Sequence, residues 1–153
     1  MERERKLNTL LAQAGVKTDQ TTGALTTPLH FSTTYQHPEF GQSTGYDYTR
    51  TKNPTRVSLE ETLAAIESAD YALATSSGMS AIVLAFSAFP VGSKVLAVRD
   101  LYGGSFRWFA QAEAEGRFAF TYANTEEDLL NNLTEDIDIV YIETPTNPLM
   151  VEF

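Results

Sequence analysis

Tyr71–Met79, YALATSSGM, decides how the chain is read. Tyr71-Ala-Leu-Ala-Thr75 has the look of a short apolar strand. It runs into a corner of small residues, Ser76-Ser77-Gly78, and the corner opens onto an apolar helix starting near Met79. A corner of this kind leaves the first N–H groups of the helix without intrahelical acceptors. The helix dipole adds partial positive charge there. Gly78 admits a ligand to the backbone, and Ser76 and Ser77 supply hydroxyls, so a phosphate or carboxylate fits. On this stretch alone a second reading stands level with the first: Ser77 simply N-caps a buried helix.

Working outward, the totals set bounds. The chain has 153 residues, 42% hydrophobic and 20% charged, enough for one packed domain of ordinary size. A net charge of −9 argues against nucleic acid or an anionic membrane as partner, since both demand clustered Lys and Arg. With no cysteine, disulfides, thiolate metal sites and cysteine nucleophiles are excluded, and a cytoplasmic setting fits. The opening MERERKLNTLLAQAG has too brief an apolar run for a signal peptide. Ala81–Phe89, interrupted by Ser87, is too short to span a bilayer.

Before the corner, Leu7, Leu10, Leu11 and Ala14 share one face of a helix expected over Glu2–Ala14, which Gly15 terminates. Thr18–Gly45 is rich in Thr, Ser, Gly and Pro and has no helical period. A stretch this long without regular structure reads as an extended arm lying on another subunit. Its two histidines, His30 and His37, have no acidic or cysteine neighbours at ligand spacing, and no metal site is expected. Tyr46–Thr55, YDYTRTKNPT, gathers Tyr46, Tyr48, Arg50 and Lys52 beside a helix start marked by Asn53 and Pro54. If this piece is extended, Tyr48 and Arg50 point the same way, and a phenol beside a guanidinium suits a phosphate. An Arg packed on a surface aromatic is the plainer alternative.

From Pro54 the pattern is regular. Helices are expected over Pro54–Glu67, Met79–Phe89, Ser105–Glu115 and from Thr125 through Leu133, with Thr125 as N-cap and Asp128 completing something close to a capping box. The Met79–Phe89 helix is apolar nearly all round and is expected to be buried. Strands are expected at Tyr71–Thr75, Val95–Val98, Phe118–Tyr122 and Ile137–Ile142. Alternation of this kind makes a mostly parallel sheet, and ligands then sit outside the C-terminal ends of its strands. Three segments occupy such ends: Ser76–Met79, Asp100–Gly104 and Glu143–Pro148. The division expected is residues 1–53 as helix and inter-subunit arm, and 54–153 as the first part of an α/β domain. A four-stranded sheet with nothing closing it after Phe153 reads as a truncated one.

The Walker pattern, the G-x-G-x-x-G fingerprint and the G-x-S-x-G elbow are all missing from the sequence. An anion site, Tyr102 beside two glycines, and Asn147 in a polar loop together point to pyridoxal phosphate. The runs GYDYTRTKNPTR, SSGMSAI, DLYGGSFR and ETPTNPLM closely resemble the Cys/Met-metabolism family of pyridoxal-phosphate enzymes. Its members include cystathionine γ-synthases, cystathionine lyases, methionine γ-lyases and homoserine-ester sulfhydrylases. The resemblance implies the aspartate-aminotransferase fold type and tetramers built as dimers of dimers. It implies that Tyr48 and Arg50 reach the cofactor phosphate of a neighbouring protomer, and that Gly78 and Met79 give backbone N–H groups to the protomer's own. Tyr102 would lie on the pyridine ring and assist proton movement. Asn147 would lie near the ring hydroxyl and the substrate carboxylate, with Glu143 in support.

The resemblance also marks what is missing. The family's cofactor-bearing lysine lies in a downstream Ser-x-Thr-Lys motif, and Lys6, Lys17, Lys52 and Lys94 match none. The chain therefore reads as the first part of such an enzyme, inactive by itself; a non-catalytic piece with only an oligomer-forming role is the alternative of another class. Gly104 stands where methionine γ-lyases tend to carry cysteine. Asp47 and Arg107 match positions in the substrate mouth of γ-synthases, and Thr51 leans toward an acetylated homoserine ester. The run as a whole is most similar to the bacterial cystathionine γ-synthases. The implied reaction is γ-replacement of an O-acyl-homoserine by cysteine, with a cystathionine lyase or a sulfhydrylase as the nearest alternatives.

Overall fold

The structure is a computed structural model that describes residues 7–16 and 19–153. These residues form two compact units, one through Ala74 and one from Thr75.

In the first unit, helix α1 (Leu7–Ala12) corresponds to the described part of the first expected helix; Glu2–Lys6 lies outside the described residues. Helix α2 (Pro54–Ile66) starts as its sequence dictates. The Asn53 side chain accepts from the N–H of Thr55 (2.9 Å) and of Arg56 (3.4 Å), and Pro54 follows it. Between α1 and α2 the described residues hold no helix, and they are tied to the N-terminal end of α2. Asn53 Nδ2 donates to the His30 carbonyl (3.1 Å) and to Thr49 Oγ1 (2.7 Å), and the His30 N–H donates to Thr55 Oγ1 (2.9 Å). Residues 33–35 pair back on 47–49 through Tyr35 N–H to Asp47 O and Thr49 N–H to Thr33 O. Phe31 and Phe40 nonetheless stand almost fully in solvent, at 90% and 106% relative exposure.

The second unit is built on a parallel sheet in the order β2-β1-β3, from β1 (Ser93–Val98), β2 (Phe118–Ala123) and β3 (Ile139–Tyr141). Helices α3 (Gly78–Phe86), α4 (Gly103–Ala114) and α5 (Glu126–Asn132) connect or precede its strands. β1 is central, and Val95 through Val98 are fully buried, the unbroken apolar run of a parallel strand covered on both faces. Register puts Val95, Phe120 and Ile139 abreast, then Ala97, Tyr122 and Tyr141. Aromatics on that face meet Phe86 of α3 and Phe109 of α4: Phe109 stacks on Phe120 with centroids 4.6 Å apart and meets Tyr141 edge-on at 5.0 Å. Thr125 caps α5 by accepting the Asp128 N–H, while the Asp128 carboxylate reaches back to the Asn124 N–H, one residue short of a reciprocal box.

Two expectations fail. Tyr71–Thr75 belongs to no sheet, because no strand of the described residues runs beside it; a strand exists only by its neighbour's hydrogen bonds. Tyr71 and Leu73 are left 76% and 65% exposed. Helix α3 is also not buried all round: only Phe86 is, while Leu84 is 45% exposed. Periodicity reports how much of a helix is apolar, and α3 has a partner within its unit, α4, on one side only. The fourth expected strand, Ile137–Ile142, is present but shorter.

Phe109 is the fully buried centre of the aromatic cluster. Phe109→Ala in the intact protein should cost about 3–5 kcal/mol, read as a lower urea midpoint, whereas Leu130→Ala, on the exposed side of α5, should change it little.

Candidate functional site

The segments after β1 and β3 meet the corner that opens α3 in the second unit. Ser77, Gly78, Met79, Ile82, Tyr102, Ser105, Tyr141, Glu143 and Asn147 line one cavity of about 490 Å³. Four of the expected site residues, Gly78, Met79, Tyr102 and Asn147, are thus brought together by the ends of β1 and β3 and the start of α3.

At the α3 edge the N-cap reading of the Ser-Ser-Gly corner is the one the hydrogen bonds show. Ser77 is the N-cap, and its hydroxyl accepts from the Ser80 N–H at 3.1 Å; the Ala81 N–H bonds the Ser77 carbonyl. The cap therefore satisfies the deeper donors and leaves the N–H groups of Gly78 and Met79, the first two of the helix, without an intrahelical acceptor. The space over Gly78 is open: a Cβ built there meets nothing within 4 Å. Open donors, a helix dipole and room at the backbone are features that suit an anion.

Opposite, one carboxylate organises the wall. Glu143 Oε2 accepts the Tyr102 N–H at 2.7 Å; Oε1 accepts the Ser105 hydroxyl at 2.6 Å and the Tyr141 hydroxyl at 2.8 Å. Burial raises the Glu143 pKa, but the bonds from Ser105, the Tyr102 N–H and Tyr141 outweigh it and hold the carboxyl below its usual range. Burial first, then the Glu143 carboxylate, push Tyr141 up to about 12 against the opposing bond with Ser105. Tyr141 thus stays a neutral donor, and the Glu143 charge sits at the N-terminus of α4, where the dipole favours it. Sequence reasoning missed Ser105 and Tyr141. Their signal was faint: a Ser in the first turn of a helix, and a Tyr two residues before Glu143, hence on the same side of an extended chain.

Asn147 is carried on a loop fastened at its centre by Thr146, which is buried and exchanges hydrogen bonds with Val151. The Leu149 N–H donates to Asp100 beyond the end of β1 at 3.2 Å. Arg107 does not line the cavity; it is exposed on α4, and its guanidinium lies against Gly103.

The remaining expected residues belong to the first unit. Tyr48 and Arg50 are not part of an extended run. The N–H groups of Thr51 and Lys52 both bond the Tyr48 carbonyl, and this turn places the exposed Arg50 guanidinium 5.0 Å from the centre of the Tyr48 ring. Asp47 accepts from the Ser43 hydroxyl (2.5 Å) and lies 2.8 Å from His37 Nε2; the Ser43 bond, with His37 adding to it, holds its pKa below the ordinary value.

An open helix N-terminus, an aromatic ring, a neutral phenol and a carboxamide thus line one cavity of the α/β unit, beside the C-terminal ends of β1 and β3. The family model for the Cys/Met metabolism PLP-dependent enzymes matches residues 8–152, and the chain belongs to that family. It is 42% identical over 148 residues to a cystathionine γ-synthase/O-acetylhomoserine (thiol)-lyase of Bacillus subtilis, covering 95% of this chain and 40% of that one. It is 42% identical over 158 residues to a cystathionine γ-synthase of Haemophilus influenzae, covering 99% and 42%. A crystal structure of cystathionine γ-synthase from Xanthomonas oryzae pv. oryzae, in complex with aminoacrylate and cysteine, superposes with a TM-score of 0.87 at 35% identity, over 98% of this chain and 40% of that one. Cystathionine γ-lyases and β-lyases match as well, so the family's synthases and lyases share this part of the fold. The chain spans about two-fifths of the length of these relatives. Among the described residues no helix is long and apolar enough to cross a membrane.

Glu143→Gln should cost about 2 kcal/mol near neutral pH, since it weakens three bonds to a charged acceptor. The depressed folded pKa fixes the sign: the stabilisation is present above the unfolded value of about 4.3 and disappears as pH falls through the lower folded value. Chemical denaturation of the intact protein and its Gln variant at pH 7 and pH 3 should show a gap at the first and a smaller one at the second.

Proposed function

We propose that this chain is the first part of a pyridoxal-phosphate enzyme that makes cystathionine by γ-replacement. The Cγ–O bond of an O-acyl-homoserine breaks, cysteine sulfur bonds to Cγ, and the carboxylic acid leaves with the thiol proton. The observation that carries the reading is the single cavity that joins the free N–H groups of Gly78 and Met79 to Tyr102 and Asn147.

In this reading Gly78 and Met79 hold the cofactor phosphate through their N–H groups. Tyr102 offers a ring face to the pyridine and a hydroxyl for proton movement beside the substrate. Asn147 orients polar groups at the ring edge, and Glu143 fixes the Tyr102 backbone. Tyr48 and Arg50 serve the phosphate of a neighbouring protomer, a role that suits a guanidinium held at a turn and free in solvent. Asp47 and Arg107 belong to the substrate mouth of the assembled enzyme. Pyridoxal phosphate, when bound, supplies the electron sink for bond making and breaking at Cα and beyond. The lysine that carries it comes from the remainder of the protein, and a homotetramer in the cytoplasm completes the picture.

Thr51 favours the acetylated ester over the succinylated one, in keeping with the O-acetylhomoserine (thiol)-lyase name of the Bacillus subtilis relative. A lyase is the second reading, supported by the cystathionine lyases among the relatives. Incubating the intact protein with pyridoxal phosphate, O-acetylhomoserine and cysteine should yield cystathionine and acetate in equal amounts. Cleavage of cystathionine without its formation would favour the lyase instead.

A further inference from the structure

Gly104 has no part in the roles above, yet the Tyr102 ring depends on it. A Cβ built on Gly104 would stand 2.4 Å from Tyr102 Cε1, 3.0 Å from Tyr102 Cδ1 and 3.1 Å from Met79 Sδ. The first of these is closer than real Cβ atoms approach, so the ring lies directly on the bare α-carbon. Its backbone cannot retreat. The Tyr102 N–H is held by Glu143 at 2.7 Å, and its carbonyl accepts the Phe106 N–H at 3.1 Å. The ring is the part left to move, by turning about its side-chain torsions. Gly104 has no positive φ, so backbone conformation does not demand glycine there.

We propose that Gly104 is a positioning residue for Tyr102: its missing side chain forms the floor on which the ring rests between α4 and Met79, and so sets the ring face shown to the cavity. That the face serves pyridoxal phosphate rests on the functional reading above; the pose itself does not. Gly103 supplies a matched control in the same helical turn. A Cβ there meets only Arg107 Nη1, at 3.3 Å, the far end of a flexible side chain that yields easily. Both Gly→Ala changes fall in the first turn of α4, so what separates them is what each Cβ meets: the Tyr102 ring and Met79 Sδ at Gly104, and the end of Arg107 at Gly103.

The test uses the intact protein labelled with fluorotyrosine, without cofactor, the Tyr102 resonance being assigned by its loss in Tyr102→Phe. Gly104→Ala should shift that resonance, and Gly103→Ala should leave it in place. Titration with pyridoxal phosphate should then give affinity lowered roughly three- to tenfold by Gly104→Ala, the worth of one aromatic contact, and unchanged by Gly103→Ala. Should Gly104→Ala melt early, the Tyr102→Ala background decides: relief of the loss there supports the contact, and an equal loss counts against it. An unmoved Tyr102 resonance in Gly104→Ala, or the same shift in both variants, would overturn the proposal. Failure of the wild type to take pyridoxal phosphate would overturn the functional reading alone, and the fluorine spectra would still decide the pose.

Discussion

The Glu143 carboxylate is the constraint on which the site depends. It stands just past the end of β3 and reaches α4 through two bonds, one to the Tyr102 backbone and one to Ser105. A third bond, from Tyr141, returns to the strand it follows. A side chain with four lone-pair positions thus fixes a helix start against a sheet end, and the low pKa of the acid keeps it charged for that task. Were it neutral, Ser105, fully buried, would lose the strongest acceptor in its reach.

The sheet makes this junction possible. β1 lies between β2 and β3, so its buried residues set the height at which the following loop emerges. Leu101 anchors that loop in the core while Tyr102, next along, turns outward at 47% exposure. Across the cavity, Phe86 locks the far end of α3 among Trp108, Phe109 and Phe118, which leaves the helix's first turn facing the ring. Aromatic packing below and one carboxylate above bring the open start of α3 and a phenol to one place.

Much of this was legible in the sequence, for definite reasons. β1 and β2 are apolar runs bounded by turn residues, and attention to strand ends singled out the segments after β1 and β3 that do converge, while the α3 corner joins them without a strand before it. The N-caps Asn53, Ser77 and Thr125 were readable because their chemistry is local. Non-local facts were not. Tyr71–Thr75 has strand composition without a neighbour to bond; α3 is apolar all round but covered on one side; and Tyr48 with Arg50 meet through a turn rather than a strand. Ser105 escaped notice because nothing in a helix's own sequence says that a carboxylate 38 residues later will reach its first turn.

The central claim is that the first turn of α3 is a phosphate seat facing Tyr102. The crystal structure of the intact protein with pyridoxal phosphate tests it most directly. The account predicts phosphate oxygens within about 2.7–3.2 Å of both the Gly78 and the Met79 nitrogen. Bound cofactor whose phosphate lies away from those two N–H groups would contradict it.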